Sequence, residues 1–133
     1  MHESLDFLNN EAMEILAKLF VGIVAIVHIY ILVLEMFLYT KPIGMKAFRQ
    51  TPESAKTTSV MMANQGLYNG FLAAGLIWSL FHPVDTVAAQ LQIFFLLCVA
   101  VAGLYGAYSA NKRILFIQAM PALIGLGFVL ASS

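Results

Sequence analysis

The run LFVGIVAIVHIYILVLEMFLY, Leu19 to Tyr39, has no helix-breaking proline and only one formally charged side chain, Glu35. A helix needs about 20 residues to cross about 30 Å of hydrocarbon, so a run of this length and apolarity reads as a membrane span. Working outward, three further runs of spanning length follow: Thr58 to Phe81, Ala88 to Ser109 and Ile114 to Ala131. Pro121 inside the last predicts a kink, because proline lacks a backbone donor and crowds the preceding turn.

Composition agrees. Of 133 residues, 61% are hydrophobic and 11% charged, whereas soluble domains are nearer half apolar and a quarter charged. A chain this short could not hide so much apolar surface from water in a single core. The expected fold is therefore all-α: a single integral membrane domain over residues 1–133, built as an antiparallel bundle of four transmembrane helices joined by short connections. Seven basic and seven acidic residues cancel, which gives no reason to expect a nucleic-acid partner. The single cysteine, Cys98, excludes an intramolecular disulfide.

The N-terminus His2-Glu3-Ser4-Leu5-Asp6 is acidic, unlike the basic opening of a cleavable signal. Asn10, followed by Glu11 and Glu14, reads as the N-cap of the first helix, and Leu5, Leu8, Ala12 and Ile15 as an interfacial stripe. Residues 40–57 carry Lys41, Lys46, Arg49 and Lys56, and the turn before the last span carries Lys112 and Arg113. Together these are six of the seven cations. By the positive-inside rule both basic segments lie in the cytoplasm and both termini outside. Pro42, Gly44 and Pro52 mark the first basic segment as turn-rich, with room for a short interfacial helix. Tyr39 and Trp78 suit the aromatic belts.

Small residues mark close helix approach in lipid. Gly66, Gly70 and Ala74, Ala102, Gly103 and Gly106, and Gly125 and Gly127 read first as packing grooves within the chain, with a homodimer as the other use. The echo between GLYNG at 66–70 and GLYGA at 103–107 is too short to establish a repeat.

Ionisable side chains inside a membrane are costly and point to function. His28 and Glu35 are seven apart, on one helix face two turns from each other. Counted from the cytoplasmic end, Glu35 lies about 6 Å deep and His28 about 16 Å deep. The same count brings Asn64, Gln65, Tyr68 and Asn69 of the second span, Tyr105 of the third and Gln118 of the fourth into the same cytoplasmic half. These eight residues form a candidate ligand-binding layer, with Glu35 and His28 as proton acceptor and donor. The layer could equally be glue that satisfies buried polar atoms. Two ionisable groups on one face exceed what packing needs, which favours a site. Too few His, Glu and Cys side chains are available inside for a transition-metal site, and no phosphate loop or nucleophile motif is present. No metal or other cofactor is expected.

The strings His28-x-Tyr30 with Leu34-Glu35, Asn64-Gln65-Gly66-Leu67-Tyr68-Asn69-Gly70, Cys98-Val99-Ala100-Val101-Ala102-Gly103-Leu104-Tyr105-Gly106 and Gln118-Ala119-Met120-Pro121-Ala122 together resemble a family of small bacterial integral membrane proteins catalogued only as a domain of unknown function. The resemblance runs from the first span onward and implies a four-span protein of the bacterial inner membrane, without an activity to carry over. Three functions stay open. The layer could bind a small or lipid-soluble molecule for proton-coupled transport or sensing. It could serve an enzyme using His28 and Glu35 as an acid/base pair on a lipid-like substrate. It could also only hold together a subunit that works by interaction. Membrane lipids are the expected neighbours in each case.

Overall fold

The computed structural model describes residues 1–132. All regular structure among them is helical: α1 (His2–Met36), α2 (Pro42–Phe48), α3 (Pro52–Phe81), α4 (Asp85–Ser109), a π-helical turn (Leu115–Ala119) and α5 (Met120–Ser132). Three stretches are long and apolar enough to cross a membrane: α1, α4 and the continuous helix Leu115–Ser132. The run beginning at Thr58 does not reach the same apolarity, because Asn64, Gln65, Tyr68 and Asn69 interrupt it.

Helix α1 starts at His2 and passes through Asn10 without a break, so Asn10 is not an N-cap. Nothing upstream stops the helix: leucine, alanine, glutamate and methionine dominate and the first glycine is Gly22. Its 35 residues measure about 52 Å, well beyond a hydrocarbon thickness. The surplus is N-terminal. No side chain in residues 2–16 is buried, Leu5, Leu8 and Ile15 are exposed, and Ala17 is the first to be covered.

The basic segment 40–57 is mostly helical: it holds α2, the short helix for which the prolines left room, and the first turns of α3. Pro42 and Pro52 each sit in a first turn, where a missing N–H costs nothing. Between them α2 ends on Arg49, whose left-handed φ of 53° turns the chain. Thr51 then caps α3: its Oγ1 accepts from Ser54 N at 3.2 Å, and Ser54 Oγ accepts from Thr51 N at 3.1 Å. At Gly44 an added Cβ would strike the Leu38 carbonyl, so glycine lets α2 fold back against the end of α1. Tyr39 lies in this corner. It is 5% exposed, shares a 2.8 Å hydrogen bond with Thr58 Oγ1 and meets the Phe48 ring at a tilt of 60°.

Helix α1 packs along α3 and α5, and α4 packs against the same two. Their shared core is Ala17, Val21, Val24 and Ala25 of α1, Leu76 of α3, Leu96, Val99 and Ala100 of α4, and Ala122 and Val129 of α5. Glycines set the closest approaches. A Cβ on Gly66 would lie 2.7 Å from Met36 Cγ and 3.0 Å from Glu35 Cβ, and one on Gly103 would lie 2.6 Å from the Ala119 amide nitrogen. Both face neighbours within the chain. Ala74, Ala102 and Gly127 instead face outward. The irregularity expected at Pro121 appears one turn earlier, where the Met120 N–H reaches back five residues to the Leu115 carbonyl. The widened turn accommodates the donor that Pro121 lacks.

Candidate functional site

His28 and Glu35 are each 1% exposed, on the face of α1 that meets the other helices. Helical periodicity brings them there: residues seven apart share a face, and that face is the one covered. From α3, Asn69 arrives opposite Glu35 and its Nδ2 donates to Glu35 Oε1 at 2.6 Å. Gly66, one turn earlier, brings the α3 backbone close enough for this contact by presenting no side chain to Glu35. Gln65 approaches the same carboxyl, yet Glu35 Oε2 is sealed from solvent without a hydrogen-bond partner.

His28 has the same incompleteness. Its Nδ1 lies 2.8 Å from the Val24 carbonyl. A carbonyl can only accept, so Nδ1 carries a proton and donates. In the neutral ring Nε2 is then an acceptor, and it is buried with nothing to accept from. Two sealed, unsatisfied polar atoms thus lie on one helix face, about 10 Å apart along the axis. Among the described residues these two are the only buried side-chain nitrogen or oxygen atoms left without a partner.

The other residues of the expected layer do not converge here. Asn64, Gln65, Tyr68 and Tyr105 are exposed, and Gln118 is half-buried. Asn64 donates to the Val60 carbonyl of its own helix at 2.9 Å. Tyr68 meets Phe71 at a tilt on the surface. Tyr105 borders a shallow apolar groove on α4 with Phe94, Leu97 and Cys98. The inward set is therefore His28, Glu35 and Asn69, with Gln65 at its margin. Among the described residues no group of three His, Cys, Asp or Glu is placed to hold a metal ion.

Two further polar residues, outside the expected layer, are buried. Ser79, 2% exposed, donates to the Leu76 carbonyl of its own helix. Gln92, 7% exposed, opens onto a cleft between α1, α4 and α5 whose volume is about 440 Å³. Neither this cleft nor the α4 groove touches His28 or Glu35.

The pairing of Glu35 with Asn69 joins two of the four strings that carry the family resemblance, and comparison with known proteins bears the resemblance out. Residues 22–130 match the family model described as "Protein of unknown function (DUF1304)". The chain belongs to this family. A relative from Lactococcus lactis subsp. lactis (strain IL1403), described as "Uncharacterized protein YpaA", is 33% identical over 118 residues, covering 86% of this chain and 96% of its own. No solved structure matches. The match begins at Gly22 and so leaves the projecting N-terminal part of α1 outside it, while all three inward residues lie inside.

Proposed function

We propose that this DUF1304 protein binds a small or lipid-soluble molecule within the membrane, at the interface of α1 and α3. In this reading Glu35, His28 and Asn69 supply the polar contacts, and a change of protonation at Glu35 accompanies binding. The observation that carries it is the pair of sealed, partnerless atoms, Glu35 Oε2 and His28 Nε2. A buried polar atom left unpaired costs roughly 1–3 kcal/mol, and a chain that serves only packing gains nothing by keeping two. A ligand with hydrogen-bonding groups about 10 Å apart would satisfy both. The carboxyl can meet either a donor or an acceptor by losing or keeping its proton, whereas neutral His28 requires a donor. The reading includes four antiparallel spans, with α3 as the polar one, the basic segments cytoplasmic and both termini outside.

A second reading is favoured by one contact. The Asn69–Glu35 hydrogen bond fastens α3 to α1, and such bonds can serve as glue between membrane helices. Glu35→Gln separates the two. Glutamine keeps the shape and can still accept from Asn69, so a binding role predicts thermal stability in detergent unchanged or raised. Because the helix contact to Asn69 survives in this variant, the two readings part on the ligand: loss of a bound molecule at undiminished stability supports binding, and wild-type protein that carries none supports glue. Mass spectrometry of the purified protein should also find a co-purified small molecule in the wild type that is depleted in Glu35→Gln and in His28→Ala.

A further inference from the structure

The cleft between α1, α4 and α5 is independent of the Glu35 centre and shares no residue with it. Glu14 and Lys18 of α1 and Asp85 at the start of α4 stand around it, and Ala17 and Val129 form apolar wall. Among the described residues none of these three charged groups has a hydrogen bond or an ion pair, although Glu14 and Lys18 are spaced one turn apart on a single helix. At the cleft wall Gln92 is more than nine-tenths buried, and its amide makes no hydrogen bond with any described residue. Its amide atoms are not sealed as Glu35 Oε2 and His28 Nε2 are, and an amide offers an acceptor and two donors at the cleft wall. Helix α4 begins beside it without a side-chain cap, so its first-turn N–H groups have no partner within the helix.

The donor set selects a ligand. Two carboxylates and the Gln92 carbonyl are acceptors suited to an ammonium group. Lys18 and the amino end of α4 suit an anionic group. Lys18 beside the carboxylates opposes a bare metal cation, and the two carboxylates oppose a simple anion. A molecule carrying both charges satisfies all of them, and a cleft of about 440 Å³ falls within the usual range of small-molecule sites, about 300–1,000 Å³. We propose that this cleft binds a primary-amine zwitterion of the phosphoethanolamine type, its ammonium against Glu14, Asp85 and the Gln92 carbonyl and its anionic end against Lys18.

Phosphoethanolamine chemistry can come from a lipid headgroup or from a soluble molecule. The test uses the full chain, delipidated in detergent, with binding followed by native mass spectrometry and by the shift in melting temperature. Phosphatidylethanolamine, phosphatidylglycerol and free O-phosphoethanolamine are titrated separately against wild type, Glu14→Gln and Gln92→Leu. Glu14 is exposed, so its variant folds even if the Gln92 variant does not. The expected result is binding of phosphatidylethanolamine in preference to phosphatidylglycerol, weakened roughly tenfold in each folded variant. Free O-phosphoethanolamine binding as tightly as the lipid would keep the site and assign it a soluble ligand. Equal binding of phosphatidylglycerol, no binding of either amine, or unaltered binding in Glu14→Gln would overturn the proposal.

Discussion

Asn69 is the side chain on which the α1–α3 contact turns. It is 9% exposed and supplies the hydrogen bond that Glu35 receives from another helix. Asn69→Ala would leave both carboxyl oxygens without that amide, and removing one partner of a buried pair costs about 1–3 kcal/mol. The melting temperature in detergent should therefore fall, and fall less when Glu35→Gln is present, because an uncharged partner is cheaper to leave unpaired. Equal falls in both backgrounds would mean that the pair is uncoupled. His28 and Glu35 were legible as a pair from spacing alone, since seven residues return a helix to the same face. Asn69 was distinguishable from Asn64, Gln65 and Tyr68 only by its neighbours. All four lie at similar depth, but a helix shows a packed partner only part of its circumference.

At the scale of elements, close approach depends on which glycines face backbone. Gly103 is buried where α4 meets the π-helical turn, and its missing Cβ leaves room for the Ala119 main chain. A main chain cannot rotate away as a side chain can, so Gly103→Ala should destabilise the protein by about 1–3 kcal/mol through overpacking. Gly127 has nothing within 4 Å of an added Cβ, so Gly127→Ala should be neutral or mildly stabilising through helix propensity. Thermal melts of the two variants side by side check this, and similar losses would remove the distinction. The Thr51-Pro52-Glu53-Ser54 cap was readable as a helix start. It lay outside the apolar window used to place Thr58, and a hydrophobicity window registers transfer into lipid, not where a helix begins. Asn10 erred in the opposite direction, since a residue able to cap does so only where the chain stops being helical before it.

For the whole molecule, the distribution of charge makes the most direct prediction. Six of the seven cations lie in residues 40–57 and at Lys112 and Arg113, so a single cysteine introduced as Lys46→Cys, with Cys98 replaced by alanine, should resist an impermeant thiol reagent in intact cells. It should react once the cytoplasmic face is opened. Labelling from outside would reverse the proposed orientation. The cleft between α1, α4 and α5 could not have been found by inspecting any one stretch, because its residues run from Glu14 to Ser132 and only the packing of three helices assembles them.

Sequence alone determined that the chain is helical and apolar enough for a membrane, that it belongs with the DUF1304 proteins, and that His28 and Glu35 share one face. Each of these follows from local composition, helical periodicity or matching strings. Tertiary structure decided which polar residues turn inward, that Glu35 meets Asn69 and not Tyr105 or Gln118, and that Gln92 opens onto a cleft with Glu14 and Asp85. Those outcomes depend on how each helix is rotated about its axis, which is settled by glycine contacts and core packing between helices distant in sequence.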